Sequence, residues 1–166
     1  HLSSIQFCEA VIGPGFTWDF LPRQAPPCLA VVGEGEWEKD HFLHALERDG
    51  GTDELTDSIG QMLPDRFGGE TIEQAIQALR APFLHRRGAR AQLDAMRIVA
   101  DSAYRATFPA DSPLSARVLL PVADEERQGI EDLRLVRGAQ ADGSAYGGTF
   151  TAYDGRSISS RLLTTN

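Results

Sequence analysis

Apolar residues alternate with polar ones near the start of the chain. In "FTWDFL" Phe16, Trp18 and Phe20 are set against Thr17 and Asp19, a period of two that predicts a half-buried strand. The preceding "HLSSIQFCEAVI", residues 1–12, fits a short helix or a strand, and Gly13-Pro14-Gly15 ends it in either case. After the turn-forming stretch Pro22 to Pro27, the β-branched run Cys28 to Val32 predicts a buried strand closed by Gly33 and Gly35. From Glu36 the period changes: Trp37, His41, Phe42, Ala45 and Leu46 fall at helical spacing, with Arg48 in the last turn and Gly50-Gly51 as the stop.

A second helix, "DELTDSIGQML", is capped by Asp53 or Thr52, carries Leu55, Ile59, Met62 and Leu63 on one stripe, and meets Pro64. A third opens at Glu70-Thr71, shows Ile72, Ala75, Ile76 and Leu79 on one face, and runs to about Leu84 despite Pro82. Residues 91–108 are ambiguous between a helix and a strand pair turning at Asp101-Ser102. Ile98, Val99, Tyr104, Thr107 and Phe108 tilt residues 96–108 towards strand.

Val118-Leu119-Leu120 and Leu133 to Val136 are two apolar arms joined by the long acidic insert "ADEERQGIED", which has room for a bulge or a helical turn. Beyond Gly147-Gly148, Asp154-Gly155 is the strongest hairpin signal in the chain. The order is strands, a block of helices, then three to five antiparallel strands. It predicts a single α+β domain over residues 1–166, with the helices packed on one side of an antiparallel sheet.

That order resembles the PAS family of sensory domains, and "ARVLLPVADE" looks like the penultimate strand of such domains, so the resemblance spans residues 70–138. It implies two strands, short helices and closing strands that cup a small ligand or present a partner surface, in a regulatory role without chemistry. No flavin-binding cysteine motif accompanies it, and no cofactor is assigned.

Composition narrows the partners. A net charge of -8 with pI near 4.9 argues against nucleic acid, whose binding rests on clustered Lys and Arg. The basic knot His85-Arg86-Arg87-Gly88-Ala89-Arg90 reads as a solvated turn following a helix. No apolar run approaches membrane-spanning length, which predicts no membrane partner. With only Cys8 and Cys28 and no leader-like start, the expected location is the cytoplasm.

The stripe positions place a candidate ligand pocket at Trp37, His41, Met62 and Tyr104, between the sheet and the first two helices. Cys28 followed by His41 and His44 is the competing chemical reading. Two imidazoles at i and i+3 can face one metal in a small hydrolytic enzyme, although such a site needs three or four ligands. A third reading is an acidic adaptor whose charge steers a basic partner, and strand edges after Gly147 can support a homodimer.

Overall fold

The computed structural model describes residues 2–50, 53–80, 83, 85–138 and 145–165. The chain is α+β and divides into two compact units, residues 33–105 and residues 1–32 with 106–166. No helix among the described residues is long and apolar enough to cross a membrane.

Among the described residues the unit of residues 33–105 holds the helices α1 (Lys39–Gly50), α2 (Glu54–Met62), α3 (Gly69–Gln77) and α4 (Ala89–Asp101). Each contributes one apolar stripe. Phe42 and Leu46 of α1, Leu55 and Ile59 of α2, Ile72 and Ile76 of α3, and Leu93, Met96 and Val99 of α4 are buried together. Trp37 belongs to a short strand that pairs antiparallel with Arg66–Phe67, rather than to the first turn of α1. Its ring and that of Phe67 both meet Phe42 edge to face, at centroid distances of 5.8 and 5.1 Å.

Asp53 caps α2 as its type and position predict, accepting the N–H groups of Leu55 at 2.9 Å and Thr56 at 3.1 Å. The Gln92 side chain of α4 donates to the same oxygen at 2.8 Å, so one carboxylate ties two helices. Burial pushes this carboxyl up. The hydrogen bonds from Thr56, Gln92 and Leu55, with the nearby Arg86 guanidinium, outweigh it and hold the pKa below its usual 3.8.

A depressed pKa contributes stability above the unfolded value, and that stability disappears as pH falls from 3.8 through the lower folded value. Asp53→Ala is expected to cost about 1 kcal/mol in urea unfolding at neutral pH. In Asp53→Asn, which keeps the cap, the deficit against the wild type should shrink in acid.

Two helical expectations need correction. The third helix stops at Gln77, with Ala78 as its C-cap, and does not continue to Leu84; Pro82 and Leu84, like Gly51 and Thr52, lie outside the described residues. Residues 96–101 are helix, not strand. Leu93, Met96, Val99 and Ala100 form one buried stripe against α1 and α3, and that burial overrides the strand preference of Ile98 and Val99. The extended segment begins only at Tyr104. The basic knot therefore precedes a helix, with Gly88 as the N-cap of α4 at φ 87°, and Arg86 lies 3.3 Å from Glu54.

Among its described residues the other unit holds strands and single 3-10 turns. Its first sheet holds β1 (Ile5–Gln6), β4 (Cys28–Leu29) and β9 (Arg117–Leu119), with β9 central, antiparallel to β1 and parallel to β4. Its second is an antiparallel meander of β10 (Gly129–Arg137), β11 (Tyr146–Tyr153) and β12 (Ile158–Thr165). The two arms flanking the acidic insert are thus not partners of each other. β9 and β10 lie in different sheets, and the insert folds as a 3-10 turn at Asp124–Glu126.

The Asp154-Gly155 turn does close the β11–β12 hairpin. The Asp154 carboxylate accepts the N–H groups of Ser157 and Arg156, each at 2.6 Å, and these bonds lower its pKa. Ile5, Leu119, Ile130, Phe150 and Ala152 make the core of this unit.

β2 (Ala10–Ile12) and β3 (Trp18–Phe20) form a separate ribbon, and β5 (Val31–Glu34) pairs with β8 (Tyr104–Thr107). The Cys28-to-Val32 run is extended as its composition predicts, but not buried: Leu29, Val31 and Val32 are exposed. A run of β-branched residues fixes the backbone and leaves open what covers it.

Candidate functional site

Trp37, His41, Met62 and Tyr104 sit in different settings. The Trp37 indole N–H donates to the carbonyls of Val99 at 3.1 Å and Ala100 at 3.2 Å, where α4 ends, so its ring is committed to the helical core. His41 is 67% exposed in its side chain, with Nδ1 3.5 Å from a Glu38 oxygen. Met62 is exposed at the end of α2, while its stripe neighbours Leu55, Ile59 and Leu63 are buried. Tyr104 is half-buried at the start of β8.

The histidine pair has the same character. His44 Nδ1 lies 3.1 Å from Glu47, so each imidazole has its own carboxylate three residues away in the chain, Glu47 on α1 and Glu38 just before it. Cys28 belongs to the other compact unit. Among the described residues no group of three or more His, Cys, Asp or Glu side chains is placed to hold a metal ion.

Two features of the strand unit were missed by stripe reasoning. The first is the β2–β3 ribbon. Ala10 faces Phe20, Val11 faces Asp19 and Ile12 faces Trp18, and directly opposed residues share a face of an antiparallel pair. One face therefore carries Ala10, Ile12, Trp18 and Phe20, and the reverse carries Val11 and Asp19, with Glu9 and Leu21 joined next to them by a 2.8 Å bond from Leu21 N–H to Glu9 O. Ile12, Trp18 and Phe20 are 57%, 61% and 65% exposed, and Phe16 at the tip 86%. The period of two predicted the strand correctly, but the half-burial expected with it does not occur.

Neither edge of the ribbon pairs with another strand among the described residues. A two-stranded ribbon is marginal in water on its own, and an aromatic face of this kind gains most of its free energy when something covers it.

The second feature is an open cleft of about 460 Å³ lined by Ser4 to Cys8 on one side and Glu131, Asp132, Leu133 and Leu135 on the other. It lies between β1 and β10. The two begin side by side in parallel at Ser3 and Gly129, where Ile130 N–H donates to Ser3 O at 3.1 Å. β10 then leaves: Asp132 takes a left-handed φ of 55° and the register with β11 slips between Glu131 and Arg134. This is a β-bulge, which bends the strand that carries it. The sequence holds a signal for it, since Ile130, Leu133 and Leu135 are spaced by three and then by two.

The chain matches no protein-family model, no curated protein and no solved structure.

Proposed function

We propose that the chain is a non-catalytic regulatory module of the cytoplasm that acts by binding a protein partner through the β2–β3 ribbon. The observation that carries this is the exposed aromatic and aliphatic face of Ile12, Trp18 and Phe20, with the carboxylates Glu9 and Asp19 on the reverse beside Val11 and Leu21. Aromatic anchors surrounded by charge of one sign suit a partner with an apolar pocket and a basic rim. The net charge of -8 works against self-association and against anionic lipid, and in favour of that partner.

A helical block followed by closing antiparallel strands supports a likeness to PAS sensory domains, whose partner surfaces relay a signal. The module would then work by population shift, the partner favouring one of two packings.

The test is affinity capture with the wild type and with Trp18→Ala/Phe20→Ala, followed by reconstitution of the captured partner from purified protein. The expected result is a stoichiometric complex that weakens steeply with salt and about 30-fold in Trp18→Ala, the loss typical of a buried aromatic anchor. Equal recovery of every captured protein by wild type and double variant would overturn the proposal.

A further inference from the structure

The cleft between β1 and β10 is bounded by two strand edges. Phe7 N–H donates to Arg117 O on β9, so by alternation Ile5 and Phe7 direct their backbone groups to β9, and Gln6 and Cys8 direct theirs away from it, on the cleft side. On the far wall Gly138 N–H bonds to Ala145 O, which turns Val136 and Arg134 towards β11 and leaves Leu133 and Leu135 facing the cleft. Among the described residues β1 and β10 are each the outer strand of their sheet, so Gln6 and Leu135 stand on strand edges that no third strand covers. An open edge on each side, separated by a bulge, is an arrangement that an extended backbone completes and that a compact small molecule does not.

The side chains select further. Phe7 and Leu133 are half-buried against the core of Ile5, Ile130 and Phe150, which offers an apolar floor to alternate side chains of an incoming strand. At the mouth, Asp132 is held by Arg134 at 3.0 Å, whereas Glu131 has no ion pair among the described residues. Glu131 thus brings a carboxylate to one wall, and on the other Arg23 brings a guanidinium, donating to Gln6 Oε1 at 2.7 Å.

We propose that this cleft receives an extended segment of a partner protein as an added strand between β1 and β10, with apolar side chains over Phe7 and Leu133 and a basic side chain against Glu131. It rests on the protein-binding reading of the ribbon and names a second, chemically different contact. The ribbon offers side chains, and the slot offers backbone hydrogen bonds.

The probe is a short fluorescent peptide of alternating valine and lysine, titrated by anisotropy against the whole chain, with amide hydrogen exchange read on the wild type. Proline on a strand edge removes an outward N–H without disturbing the inward ladder, so Gln6→Pro deletes one slot donor and Gln6→Ala keeps it. The expected result is binding that Gln6→Ala preserves within about twofold, and that Gln6→Pro and Glu131→Gln each weaken by about tenfold. The amides of Gln6 and Leu135 should gain protection on peptide addition.

Equal affinity in Gln6→Ala and Gln6→Pro, or no binding at about 1 mM peptide, would overturn the proposal. Protection confined to residues 10–20 would overturn it too, while leaving the ribbon's role intact. Because the exchange measurement uses unaltered protein, a variant that folds poorly does not remove the test.

Discussion

Phe42→Ala is expected to lower the stability of the helical unit by about 3–5 kcal/mol, the largest loss among single substitutions in this chain. Phe42 is 0% exposed and sits where Trp37 and Phe67 both meet it edge to face. Removing the ring forfeits its burial and also both aromatic contacts, each contributing about 0.5–1.5 kcal/mol beyond area. The cavity would not close easily, because Trp37 is pinned by its N–H to the Val99 and Ala100 carbonyls. Denaturant unfolding followed by Trp37 emission in a Trp18→Phe background measures it. A loss below about 1.5 kcal/mol, the range of volume-conserving swaps, would mean that the three rings repack.

Gly148→Ala is the second large effect and reports on a different unit. A Cβ at Gly148 would stand 2.9 Å from Leu135 Cα and 2.8 Å from Arg134 C, so the obstacle is backbone of β10 and not a side chain that can swing aside. Gly148 pairs with Leu135, just past the bulge, where β10 comes back onto β11. A methyl group there should force the strands apart and cost about 3 kcal/mol, the upper range for overpacking. Since Leu135 also lines the cleft, the same substitution should abolish peptide protection of its amide. Unchanged melting temperature together with retained protection would show that β10 can shift without loss.

Local features were the most legible in the sequence. Asp53 capping α2 and Asp154-Gly155 turning β11 into β12 each depend on a handful of neighbouring residues, and both are where their chemistry predicts. The helical stripes of Phe42, Leu55 and Ile72 were legible for a similar reason, since a 3.6-residue period encodes the buried face directly.

What failed depends on distant chain. The alternation at Trp18 and Phe20 is indistinguishable from that of a half-buried strand, because cover comes from elsewhere. Val99 has the branched side chain of a strand former, yet α1 and α3 make its position helical. The pairing of Leu119 with Ile5, and not with the strand that follows it, leaves no mark in either segment. Trp37 was legible as an aromatic residue, but its bond to the end of α4 was not. The cleft is a divergence between strands, and its one trace is the broken spacing after Ile130.

The helical unit is a continuous run of chain, residues 33–105, whereas the strand unit is assembled from what comes before and after it. This orders events during synthesis. Every partner of Phe42, Leu55, Ile72 and Met96 has left the ribosome once residue 105 has emerged. Ile5, in contrast, must wait for Leu119, and Ser3 for Gly129, so β1 spends much of translation without its sheet, whereas the β2–β3 ribbon can close on itself once residue 20 has emerged. The ribbon's exposed apolar face stays uncovered while both units are being completed. It is where a nascent-chain chaperone has the longest opportunity to bind.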